Sequence, residues 1–96
     1  MLADARTVSE RVFNAPYRLE ISAAIHRIGD GPFTTAEIQA LLAEPLDRDN
    51  NAGRNLKKLV EAGLLIQVDK LWQRRACPLW EFCETWLTEL VGQRQH

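Results

Sequence analysis

The chain has 96 residues, enough for one small domain around a single hydrophobic core but not for two independent domains. Twelve Lys and Arg residues nearly balance thirteen Asp and Glu residues, and the formal net charge is −1. This balance excludes a generally basic nucleic-acid coat and a disordered polyanion. No apolar run approaches the roughly 18 residues of a membrane span, and the first residues lack the pattern of a secretory signal. We therefore expect one cytoplasmic domain over residues 1–96, with no membrane partner.

Two helices are predicted in the first third of the chain. Residues 2–13 show a loose helical spacing of apolar side chains, and Pro16 interrupts it because proline disfavours helix in the residue before it. A second helix runs from residue 17 to 28, with apolar residues at intervals of three and four. Gly29 follows it and suits the positive φ that often ends a helix.

Two shorter helices come next. Thr34 and Glu37 form a capping-box pattern at the start of the third helix. A polar turn at residues 47–50 offers several N-caps for a fourth helix, and Gly63 ends that helix. The inward side chains of the fourth helix are predicted to be Leu56, Leu59 and Val60.

After the fourth helix the apolar spacing changes to alternation, which predicts strands. Residues 64–68 form the first strand, residues 69–71 a short turn, and residues 72–76 the second strand. One side of the first strand carries Leu64, Ile66 and Val68. One face of the second carries Trp72, Arg74 and Ala76. Trp72 is predicted to pack in the core, and the alternative is stacking on a nucleotide.

The last helix begins near Pro78 and carries more large apolar side chains than one core face needs. Trp80 lies off the main apolar stripe of this helix, so we expect it on a surface. An apolar excess on the terminal helix of a small domain indicates a homodimer interface, and the alternative is a larger core. The predicted interface residues are Val8, Val12, Trp80, Cys83, Trp86, Leu87 and Leu90.

The predicted fold class is mainly α with a small β-hairpin. Three helices followed by a hairpin give the order of a winged helix-turn-helix, here with a core over about residues 16–76. Flanking N- and C-terminal helices at residues 1–14 and 78–92 are predicted to support the core or the dimer. The hairpin, residues 64–76, is called the wing below.

Three segments resemble ArsR-like bacterial repressors and their MarR-like relatives. Residues 16–21 resemble the start of the first core helix of ArsR-like proteins, and residues 34–38 resemble the start of the second. Residues 55–65 are similar to the end of the recognition helix, where both groups carry L-x-x-L-x-x-A-G-L. The resemblance implies a DNA-binding transcription regulator that pairs through its first and last helices.

Basic side chains cluster where this fold reads DNA. Residues 48–75 carry seven basic against three acidic side chains, a local charge of +4, although the whole chain is slightly acidic. In a helix-turn-helix the second helix enters the major groove, where Asn pairs with adenine and Arg with guanine, while Lys suits phosphate. Wing cations are expected on the DNA backbone. The predicted DNA-binding residues are Thr35, Asn50, Asn51, Gly53, Arg54, Lys57, Lys58, Lys70, Arg74 and Arg75. The alternative is a solvated polar face on which Asn50 and Asn51 only cap the helix.

Catalytic and metal-binding patterns are not found in the sequence. His26 stands alone, His96 is the last residue, and no phosphate-binding glycine loop is present. Cys77 and Cys83 are too far apart on one helix for a disulfide and are expected to pack as small apolar residues. The paired ligands with which many ArsR-like repressors sense metals are missing. We therefore expect no enzymatic activity, no cofactor and no metal.

Two hypotheses remain at this stage. The first is a dimeric, sequence-specific regulator of transcription that binds duplex DNA through its fourth helix and a short wing. The second is a winged-helix adaptor or assembly subunit whose basic face meets an acidic protein. Salt-dependent binding to random duplex DNA distinguishes them, because only the first should bind and lose affinity steeply with salt.

Overall fold

The computed structural model of the protein describes residues 2–42 and 52–92. Within these ranges, five helices and a two-stranded hairpin follow one another along the chain. They are α1 (Leu2–Phe13), α2 (Arg18–Ile28), α3 (Thr35–Leu41), α4 (Ala52–Glu61), β1 (Leu65–Val68), β2 (Leu71–Arg74) and α5 (Pro78–Gly92). This order confirms the predicted class, a mainly helical winged helix-turn-helix with flanking helices. No helix in the two ranges is long and apolar enough to cross a membrane.

The central helix of the fold is α2, which contacts α1, α3, α4 and α5. Residues 19–25 of α2 are buried without interruption, because neighbours cover this helix on several sides. The core cluster that joins α2 to α3, α4 and the wing contains Ile21, Ile25, Phe33, Ile38, Leu56 and Trp72. The cluster that joins α2 to α1 and α5 contains Ala5, Leu19, Ala23, Cys83 and Leu87.

Polar contacts at buried positions fix α1 to α2. The Ser9 hydroxyl donates to the carbonyl oxygen of Ala15 at 2.6 Å and accepts the backbone N–H of Leu19 at 2.9 Å. The Arg6 guanidinium donates from Nε to Oε1 of Glu20 at 2.6 Å, and the Glu20 side chain is only 4% exposed. These contacts hold the turn between α1 and α2 in place.

The predicted start of α3 and the predicted end of α4 are confirmed, and the turn at residues 47–50 that was predicted to cap α4 lies outside the described residues. Thr34 accepts the backbone N–H of Glu37 at 3.1 Å, and the Glu37 carboxylate accepts the N–H of Thr34 at 3.1 Å, which completes the capping box. At the end of α4, Gly63 has φ 81°. Its N–H reaches the carbonyl oxygen of Val60, and the N–H of Leu64 reaches that of Leu59, both at 2.9 Å. This Schellman arrangement turns the chain directly into the wing.

The two wing strands pair antiparallel, with Val68 opposite Leu71. The turn therefore has two residues rather than the predicted three, and Asp69 adopts φ 57° there. The segment before α3 joins the wing, because Phe33 and Trp72 exchange backbone hydrogen bonds at 2.8 and 2.9 Å. Trp72 is 5% exposed, which confirms its predicted place in the core. Ile66 and Val68 share one side of β1 as predicted, and that side faces solvent.

The prediction for Trp80 is wrong. Its side chain is 2% exposed within a single protomer, and its ring nitrogen donates to the carbonyl oxygen of Arg75 at 2.8 Å. The buried stripe of α5 runs through Trp80, Cys83 and Leu87, so none of these three presents a free surface. The reason is that α5 fills the space between α2 and the end of the wing, and the large indole ring closes it. Cys83 is buried as expected, and Cys77 is half-buried.

Candidate nucleic-acid interface

The outer face of α4 is basic. Ala52, Leu56 and Leu59 are buried against the core. Since an α-helix has about 3.6 residues per turn, the opposite side of α4 carries Arg54, Lys57 and Lys58, and all three are exposed. Lys58 lies 3.6 Å from the carboxylate of Glu61, and both side chains are more than half exposed, so water screens this pair. Three predicted DNA-binding side chains thus share one accessible face.

The other predicted residues of this helix lie at its edge or beyond the described residues. Gly53 is half-buried beside the basic face. Asn50 and Asn51 fall between the two described ranges, outside the described residues, so their predicted roles stay predictions. Thr35, in the first turn of α3, accepts a hydrogen bond from the ring nitrogen of Trp72 at 3.0 Å. This contact ties α3 to the wing, and a role of Thr35 in DNA contact stays a prediction.

The three basic residues of the wing do not all face solvent. Lys70 in the turn and Arg75 after β2 are exposed. Arg74 instead turns inward: its Nη2 and Nε atoms donate to Oδ1 of Asp30 at 2.8 and 3.0 Å, and its side chain is 15% exposed. A third bond reaches the carbonyl oxygen of His26 at 3.4 Å. This geometry corrects the expectation that Arg74 projects from the wing, because Arg74 shares the inward face of β2 with Trp72.

One basic residue near α4 was missed by the sequence reasoning. Arg18, the first residue of α2, donates from Nε to the amide oxygen of Asn55 at 3.2 Å. Asn55 is 5% exposed, and burial lowers the pKa of Arg18 below its usual value. Thirty-seven residues separate the two partners. The only signal in the sequence was the polar residue Asn55 beside the apolar stripe of α4, and this signal did not indicate which residue Asn55 contacts.

Residues 14–68 match the model of a helix-turn-helix domain family. The matched segment covers more than half of the chain and contains α2, α3, α4 and the whole of β1. The chain belongs to this helix-turn-helix family. No curated protein and no solved structure matches it.

Membership of the helix-turn-helix family supports DNA as the partner and transcription regulation as the role. The family match agrees with the hairpin that follows the helices, so the protein is a winged helix-turn-helix regulator. The match does not name a subfamily, and the resemblance to ArsR-like and MarR-like proteins therefore stays a prediction. Within residues 2–42 and 52–92, no three His, Cys, Asp or Glu side chains are grouped as metal ligands would be.

Proposed function

We propose that this helix-turn-helix protein is a sequence-specific regulator of transcription that binds duplex DNA as a homodimer. The observation that carries the proposal is the exposed basic face of α4, directly opposite its buried stripe. A helix of this kind presents cations to the base edges and flanking phosphates when it lies in the major groove. No catalytic step is part of the proposal.

Within this face, we assign base reading to Arg54 and backbone contact to the lysines. Arg54 lies in the first turn of α4, the part of a recognition helix that meets base edges. Its guanidinium offers a fork of donors that matches guanine. Lys57, one turn later, carries a point charge that suits phosphate. On the wing, Lys70 and Arg75 are the exposed cations assigned to the backbone.

The proposed homodimer forms through the exposed part of α5. Phe82 is 56% exposed and stacks in a tilted geometry on Trp86, with ring centroids 5.4 Å apart. Leu90 lies on the same side of the helix, four residues after Trp86, and is half-buried. Val12 on α1, the helix that packs against α5, is 58% exposed. These apolar groups support pairing with a second copy, which would bury them.

The experiment is a selection of preferred sites from random duplexes, followed by binding measurements with Arg54→Ala and Lys57→Ala. We expect Arg54→Ala to cost about 1–3 kcal/mol on the preferred site and much less on a scrambled duplex. Lys57→Ala is the matched control on the same helix and should weaken both duplexes equally. Equal losses for both variants on both duplexes would remove Arg54 as a base reader. A wild-type protein that enriches no site would refute sequence-specific binding.

A further inference from the structure

A cleft of about 270 Å³ lies between α4 and the turn that joins α1 to α2. Its described lining consists of Asn14, Ala15, Arg18, Arg54, Asn55 and Lys58. Three of these residues are cations, and none of them is acidic. A concave site with this lining attracts an anion more strongly than a flat basic surface does, because its walls exclude part of the screening water.

Arg18 is held in this cleft rather than free in solvent. Its Nε donates to Asn55 at 3.2 Å, and Asn55 is buried, so the guanidinium plane is fixed by a rigid part of α4. Among the described residues, no carboxylate lies within ion-pair distance of Arg18. Burial lowers its pKa, which indicates that the charged guanidinium has lost part of its hydration without gaining an ionic partner.

We propose that this cleft binds a phosphate group, with Arg18 as its central ligand and Asn55 as the residue that positions Arg18. The terminal nitrogens of a fixed guanidinium match two phosphate oxygens, and Lys58 adds a point charge beside them. Asn55 accepts the Nε proton and so leaves those terminal nitrogens to the ligand.

The phosphate has two possible sources, and one of them rests on the proposed function. With α4 in the major groove and Arg54 directed at the base edges, the side of α4 that carries Lys58 and the cleft faces one of the two DNA backbones. A backbone phosphate then enters the cleft when duplex DNA binds. The other source is a free phosphate or phosphorylated small molecule, which needs no DNA.

The test compares Arg18→Gln with Arg27→Gln. Both variants remove one positive charge from α2, but Arg27 lies in the last turn and pairs with Glu84 at 3.2 Å, outside the cleft. In the first arm, duplex binding is measured over a range of salt concentrations. A backbone phosphate in the cleft predicts that Arg18→Gln reduces the salt slope by about 0.9 per protomer, which is about eightfold in affinity at 0.1 M salt. Arg27→Gln should leave the slope unchanged.

In the second arm, inorganic phosphate is titrated at constant ionic strength while the side-chain amide signal of Asn55 is followed by NMR. A free phosphate source predicts a saturable shift in the wild type and in Arg27→Gln, and its loss in Arg18→Gln. Should Arg18→Gln fail to fold, Lys58→Gln replaces it in the phosphate titration, because Lys58 is exposed and lines the same cleft. It does not replace Arg18→Gln in the duplex arm, where the backbone contact proposed for Lys58 lowers the slope by itself.

Equal behaviour of Arg18→Gln and Arg27→Gln in both arms would overturn the cleft proposal and leave DNA binding intact. A wild-type protein that binds no duplex would refute the proposed function instead. The phosphate titration then decides on the cleft by itself: a saturable shift supports it, and a flat titration overturns it.

Discussion

Arg74 and Arg75 are adjacent residues with the same charge, and we expect their removal to affect different properties: stability for Arg74 and DNA binding for Arg75. The inward side chain of Arg74 joins the wing to the last turn of α2, through the carbonyl oxygen of His26, and to the loop after α2, through Asp30. The side chain of Arg75 is exposed. Among the described residues, the hydrogen bonds of Arg75 run through its backbone, to Leu64 and to the ring of Trp80. Replacing each arginine by Gln therefore separates stability from DNA binding.

The magnitudes follow from these surroundings. Asp30 is 92% exposed, so water screens its ion pair with Arg74, and the pair contributes about 0.5 kcal/mol. The bond to His26 adds about 0.5–1 kcal/mol. Arg74→Gln should thus cost about 1 kcal/mol, or about 4–8 °C in Tm for a domain of this size. Arg75→Gln should change the free energy of unfolding by less than about 0.5 kcal/mol.

For DNA binding, the larger effect should come from Arg75→Gln and the smaller from Arg74→Gln. Arg75→Gln should reduce the salt slope by about 0.9 per protomer and weaken preferred and random duplexes alike. Arg74→Gln should keep the wild-type slope at a temperature where it is folded. Thermal unfolding by circular dichroism and anisotropy titrations of a labelled duplex at several salt concentrations measure both quantities. A lower slope for Arg74→Gln with an unchanged Tm, or a lower Tm for Arg75→Gln with an intact slope, would contradict these two roles.

Two further predictions concern α5. In the proposed homodimer, Phe82→Glu should leave only monomer in sedimentation experiments with little loss of stability, since Phe82 is largely exposed. Phe82→Leu is the control, and a monomeric wild type or a dimer in both variants contradicts the proposed interface. Burial raises the pKa of Cys83 from 9.0 to about 11, with a smaller contribution from nearby Cys77 and an opposing hydrogen bond with Ser22. The unfolded chain therefore loses the thiol proton first, and the free energy of unfolding should fall as the pH rises from 9 to about 11. Chemical denaturation of Cys83→Ala should lack this decline, and an identical pH profile in both proteins rules the effect out.

Local sequence patterns were sufficient for the element order, for the start of α3 and for the end of α4. The capping box at Thr34 and the positive φ at Gly63 depend on neighbouring residues alone, so the sequence contains all the information they need. The position of Trp72 in the core followed from its size and its place in the wing. The two helix ends form with little help from distant parts of the chain.

The predictions from sequence were wrong where contacts between distant segments determine which side of a helix or strand is buried. Alternation had already put Arg74 on the face of Trp72, so an inward Trp72 required an inward Arg74. Asp30 and the carbonyl oxygen of His26, both distant in sequence, satisfy the guanidinium there. The stripe of α5 contains apolar residues on more than one side, and the space beside the wing selects Trp80. The contact between Arg18 and Asn55 joins two helices that no local pattern relates.

The salt dependence of wild-type binding to a random-sequence duplex tests the central claim most directly. With Arg54 reading a base, the exposed cations that the described residues of α4 and the wing offer for phosphate contact are Lys57, Lys58, Lys70 and Arg75. Four contacts in each protomer predict a slope of log K against log salt concentration of about −7 for a dimer and about −4 for one protomer, and a backbone phosphate in the cleft at Arg18 brings the dimer slope to about −9. Measurable binding at 50 mM salt that falls with a slope between about −7 and −9 is the predicted result. Absence of binding at that salt concentration, or binding that does not change with salt, would contradict a DNA-binding function and favour a protein partner for the basic face.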